Sequence, residues 1–342
     1  MTQKYAKDQP AGFINRIERV AIVGTGGRIG KHFAEELIKT GKHTVTALAR
    51  AETKDLPEGV KVARIDYADE DSLVSALQGQ QFLVITLSVF VPPDTHGKLI
   101  KAAAKAGVPY VMPNIYGGDI LSTSLQQAKI YDGRPILAEI EGAGVSSYIV
   151  LVCGFWYEWS LALPQPWFGF DIKNRKVTFF DDGKTRINVS TWQQCGRALA
   201  GLLSLKELPE DADDKAPTVS QWKNKPLYIS SFKVSQRDML DSIHRLTGST
   251  DADWEIDYEP TAERYEKGKE EMQNGVWTGL AKAMYSRTFF PNGDGDFESS
   301  RGLANSLIGL PKEDLDEATQ RTLDMVESGW NPFAQIASMA EK

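Results

Sequence analysis

The chain holds little cysteine and little histidine. Cys153 and Cys195 are its only thiols, and His32, His43, His96 and His244 its only imidazoles. Two cysteines exclude a disulfide framework, and no histidine stands at metal-ligand spacing from another or from a cysteine. Both thiols sit on apolar segments and read as reduced core residues, as in the cytoplasm. No apolar run approaches the ~18 residues of a membrane span, and the opening MTQKYAKDQPAGFINRIE lacks the apolar middle of a signal peptide. Basic excess is missing too: 39 Lys+Arg against 46 Asp+Glu give a net charge of −7. That excludes a general nucleic-acid binder, which needs a basic face. There is no internal repeat and no low-complexity stretch. What remains is 342 residues, 42% hydrophobic and 10% aromatic, enough for one large core or two lobes.

The first half alternates strands and helices. Strands are expected at Glu18–Gly24, His43–Arg50, Val60–Tyr67, Phe82–Val89, Val108–Pro113 and Tyr148–Val152. Between them run helical patterns: Ile29, Phe33, Leu37 and Ile38 share one face, Asp69 is placed to cap the third-strand helix, and Pro135 opens the last. Such alternation predicts an α/β fold, a Rossmann-like doubly wound parallel sheet, over 14–152. The remainder, 153–342, reads as a smaller α+β domain, some of whose elements return to the first domain. Its start carries seven aromatics: Phe155, Trp156, Tyr157, Trp159, Trp167, Phe168 and Phe170. Further on, Asp182-Gly183 between two alternating segments predicts a tight hairpin.

The strongest chemical signal is the loop Gly24-Thr25-Gly26-Gly27-Arg28-Ile29-Gly30 between the first strand and helix. A dinucleotide pyrophosphate needs main-chain N–H groups at a helix N-terminus with no Cβ in the way. Gly24 makes the turn, Gly27 lets the backbone approach phosphate, and Gly30 lets helix pack on strand. An ordinary βα turn is the plainer alternative, against which the long alternating series speaks. Arg50 ends the second strand, where an acid would accept from an NAD ribose and an arginine neutralises the 2′-phosphate of NADP. Arg28 and Lys54 add charge there, and Glu52 is the one contrary residue. NADP(H) is the cofactor expected. Asp66, ending the third strand, is placed either for the adenine amino group or for a turn. Thr86 and Ser88 end the fourth strand, where the chain passes the cofactor's middle.

The loop GTGGRIGKH, Arg50, IDYADEDSLVSALQG, YVMPNIYGGD, IEGAGVSSYIVLVCGFW and STWQQCGRALAGLL together resemble the NmrA-like, isoflavone-reductase-like branch of the atypical short-chain dehydrogenases. They are similar in particular to fungal isoflavone-reductase-like proteins of the CipA type. The resemblance covers most of residues 18–250. It implies an NADP-binding Rossmann domain with a smaller substrate domain. It also implies either reduction of phenylpropanoid or isoflavonoid compounds or, as in NmrA-type regulators, dinucleotide binding without turnover. The family's Pro-Ser-Glu-Phe-Gly-like segment is matched by Pro113-Asn114-Ile115-Tyr116-Gly117, with Asn114 able to bond a nicotinamide ribose or a substrate oxygen. The family lysine, three residues before the position of Ile136, is replaced by Gly133. Lys129 and Tyr116 are then the candidate proton donors, against the plainer roles of a solvated lysine and a packed ring. A Tyr-x-x-x-Lys match at Tyr265 and Lys269 falls on a charged helix far from the strand ends.

The aromatics after the sixth strand suit a planar substrate, or else glue the second lobe to the first; Phe155, Trp156 and Trp159 are the substrate candidates. Two functions follow. One is an NADPH-dependent reductase of a small aromatic, phenylpropanoid or polyketide-like substrate, a monomer or homodimer with neither nucleic acid nor membrane as partner. The other is a non-catalytic NADP(H)-sensing regulator.

Overall fold

In the computed structural model, residues 4–50, 53, 56–88, 91–128 and 132–333 are described. The chain forms two compact units. The first comprises residues 1–154, 192–231 and 297–311, and the second 155–191, 232–296 and 312–342.

In chain order, the first unit opens with β1 (Arg19–Val23), α1 (Arg28–Lys39), β2 (Thr44–Ala49), β3 (Lys61–Arg64), α2 (Glu70–Leu77) and β4 (Phe82–Ile85). It continues with α3 (Thr95–Lys105), β5 (Tyr110–Met112), α4 (Thr123–Ala128), α5 (Arg134–Gly142) and β6 (Ser147–Val152). These strands and a seventh, Lys225–Tyr228, form one sheet in the order 225–228, β6, β5, β4, β1, β2, β3, every pair parallel. Both central strands, Val20–Val23 of β1 and Phe82–Ile85 of β4, are wholly buried, as expected where helices cover both faces. β3 at one edge is mostly exposed and carries Lys61 and Arg64, charges that discourage edge pairing. Asp69 caps α2 by accepting from Asp71 and Ser72 N–H. Helix Trp192–Leu203 packs on α1, close enough that a Cβ on Gly196 would lie 2.6 Å from His32 O.

The second unit holds two three-stranded sheets. The predicted Asp182-Gly183 hairpin is not there. Strand Lys176–Phe180 lies between Phe170–Asp171 and Glu255–Glu259, whereas Ile187–Ser190 lies between Phe155–Trp156 and Phe232–Val234. The turn residues do reverse the chain, with Asp181 at φ 53° and Gly183 at φ 72°. Both edges of the first strand are already taken, however. Asp181 N–H donates to Glu259 O, and its carboxylate accepts from Thr261 N–H and Oγ1–H. Of the seven early aromatics, Tyr157, Trp167, Phe168 and Phe170 are buried in this unit's core. Phe155, Trp156 and Trp159 are half-buried.

Candidate cofactor-binding site

The glycine loop occupies the carboxyl edge of β1, and its glycines differ in duty. Gly24 has φ +80°, and a Cβ there would lie 1.9 Å from Thr86 O. A Cβ on Gly30 would lie 2.2 Å from Gly24 O and 2.7 Å from Thr86 Oγ1. These two positions are small because strand and helix must touch. Gly26, Gly27 and Arg28 form the exposed crest, and a Cβ on Gly27 would approach only Gly24 O, at 3.0 Å. Thr25 is buried and donates to Ile22 O at 2.9 Å. Ile29 is buried under the crest. Gly27 N–H donates to Gly24 O, closing the turn. α1 then starts with no side chain capping it and no acid in its first turn. An uncapped, acid-free helix start under a bare crest is a favourable seat for an anion.

Arg50 lies exposed just past β2. Arg64, at the end of β3, donates through Nη1 to Arg50 O at 2.7 Å, and Thr53 N–H donates to the same carbonyl. Burial pushes the half-buried Tyr67 phenol above its ordinary value, against a smaller downward pull from the Arg50 charge. Asp66 is exposed, and its Oδ1 accepts from Ala68 N–H at 2.8 Å in a local turn. Lys54, Glu52 and Lys129 lie outside the described residues.

On the other side of β1, Thr86 donates through Oγ1 to Val23 O at 2.7 Å. Ser88 is exposed two residues on. Asn114 clasps the same segment: Nδ2 donates to Leu87 O at 3.0 Å, and Leu87 N–H donates to Oδ1 at 3.2 Å. Tyr116 donates its phenol to Ile85 O at 2.9 Å and lies against Phe33 of α1. Asn114 and Tyr116 thus both spend polar atoms on the end of β4. Gly133 precedes α5, and a Cβ there would meet Ile115 Cδ1 at 2.7 Å.

In the second unit, Phe155 stacks on Tyr285 with centroids 3.7 Å apart. Trp159 packs edge-on to Trp330 and Phe333. Glu158 is 1% exposed; Oε1 accepts from Arg321, whereas Oε2 is buried without a partner among the described residues. Tyr265 and Lys269 lie on a surface helix, with Lys269 paired to Glu266. Among the described residues no cluster fits a metal ion, and no helix is long and apolar enough to cross a membrane.

Residues 24–117 match the NAD(P)H-binding family model. Together with the sheet order and the glycine crest, this defines an NAD(P)H-binding domain of Rossmann-like fold. The chain is 26% identical over 306 residues to the oxidoreductase aprR of Aspergillus flavus, covering 87% of this chain and 96% of that protein. Its fold is that of isoflavone reductase: the crystal structure of that protein superposes with a TM-score of 0.67 at 20% identity, covering 89% of this chain and 99% of the other. The NADPH complex of quinone oxidoreductase QOR2 from Escherichia coli gives 0.60 at 21% identity, with 89% and 99% coverage.

Proposed function

We propose that the protein is an NADPH-dependent reductase of a small aromatic or quinone-like compound. The observation that carries this reading is the bare, uncapped start of α1 inside a matched NAD(P)H-binding domain, with Arg50 at the end of the next strand. The Gly26–Arg28 crest would hold the pyrophosphate, and Arg50, with Arg28, the 2′-phosphate. Beyond β1, the Thr86–Ser88 segment, braced by Asn114, would line the nicotinamide half. When bound, the cofactor supplies the hydride; the chain supplies orientation and electrostatics. Phe155, Trp156 and Trp159, the half-buried rings of their cluster, remain the candidates for holding a flat substrate. Lys129 and Tyr116 remain the proton-donor candidates.

Titration calorimetry with NADPH and NADH, followed by NADPH consumption with quinones, enones and aromatic ethers, tests the proposal. Tight NADPH binding with turnover of one class supports it. Tight binding with no turnover of any class favours the dinucleotide sensor, a reading that the replacement of the family lysine by Gly133 supports. No binding of either nucleotide overturns both.

A further inference from the structure

His96, in the first turn of α3, has no part in the reading so far. Its Nε2 accepts the main-chain N–H of Asn114 at 3.2 Å, and its Nδ1 is buried with no hydrogen-bond partner among the described residues. Accepting at Nε2 assigns the single ring proton to Nδ1. An imidazolium has no acceptor, so this bond exists only for the neutral ring. Burial, pulling the pKa to about 4, keeps the ring in that form. An orphaned buried donor is a cost that an apolar side chain would avoid. The acceptor bond to Asn114 is what an apolar side chain cannot supply.

Asn114 stands where regular pairing has run out. The β4–β5 register ends at Val84 and Met112. Beyond it, the Asn114 side chain continues the linkage through its two bonds to Leu87. His96 fixes the main chain of Asn114, Asn114 fixes Leu87, and Leu87 lies between Thr86 and Ser88.

We propose that His96 is a positioning residue for the nicotinamide half of the cofactor cleft, acting through Asn114 on the Thr86–Ser88 segment. The inference rests on the dinucleotide reading above. Arg50, which would take the 2′-phosphate, stands past β2, on the far side of β1 from this clasp, so the adenosine half leans on the clasp far less than the nicotinamide half does.

Calorimetry with two ligands tests it: NADPH, and 2′,5′-ADP, which carries the adenosine half alone. His96→Leu is expected to weaken NADPH at least tenfold while leaving 2′,5′-ADP within twofold. His96→Gln, whose Oε1 can accept from Asn114 N–H, restores most of the loss. Should His96→Leu fail to fold, Asn114→Ser cuts the same clasp and is expected to give the same one-sided loss. Wild-type NADPH affinity in these variants, an equal loss for both ligands, or no rescue by Gln overturns the inference while the cofactor reading stands. Wild-type protein that binds neither ligand removes the cofactor reading itself, and the inference with it.

Discussion

Thr86 O lies 1.9 Å from the point that a Cβ on Gly24 would occupy. The glycine loop is therefore fixed by β4 as well as by its own turn. Gly24→Ala adds a methyl against backbone and forces a side chain onto φ +80°. Overpacking and left-handed strain together should cost about 3 kcal/mol. A thermal melt with and without NADPH checks this: the melting temperature should fall, and the stabilisation by NADPH should shrink.

Arg50→Ala removes the guanidinium from the end of β2. A charge-assisted contact is worth about 1.5–3 kcal/mol, so NADPH affinity should fall about 10–100-fold. NADH affinity should hardly change, because NADH has no 2′-phosphate. Equal losses for both nucleotides would remove the assigned role.

Tyr116 donates its phenolic O–H in a hydrogen bond to Ile85 O. Tyr116→Phe loses that bond but keeps the ring against Phe33. If the phenol only braces β4, turnover should survive with a stability loss of about 1 kcal/mol. If it donates the proton, kcat should fall at least tenfold with little change in KM for NADPH. Steady-state kinetics beside a urea melt separates the two, with Lys129→Ala run in parallel.

Burial pushes the Glu158 carboxyl above its ordinary value, against the pull of Arg321. A raised folded pKa means the folded chain keeps this proton longer than the unfolded chain does. Its contribution to stability therefore falls as pH rises above the unfolded value of about 4.3. Arg321→Met should deepen that fall by stranding a buried carboxylate. We expect a loss of about 2 kcal/mol near pH 8 and little near pH 5, below the full cost of a broken buried pair because Arg321 is 36% exposed. Urea unfolding of both proteins at the two pH values reads the difference directly.

The parallel sheet was legible because local patterns carried it: apolar strand runs, the Asp69 cap, and glycines spaced at 24, 27 and 30. The second unit was harder to read, since its pairings are distant. Lys176–Phe180 finds Glu255–Glu259, and nothing in either segment names the other. Local turn chemistry at Asp182-Gly183 suggested a hairpin, which the more distant partner displaced. Asp119 carries no local signal for the same reason. It is 6% exposed and accepts from Tyr228 at 2.6 Å, from Leu121 N–H at 2.8 Å and from Arg301, 182 residues away, at 3.0 Å. His96, a single histidine at a helix start, has no periodicity in the sequence to reveal its bond to Asn114.

The strand Lys225–Tyr228 runs beside β6 at the sheet's edge, which has a consequence for biosynthesis. β6 ends at Val152, so about 70 further residues must leave the ribosome before its open flank is covered. At about 5–20 residues per second, that flank stays bare for several seconds. During that interval its unpaired amides are open to other nascent chains. A polypeptide halted after residue 154 would keep this sticky margin permanently.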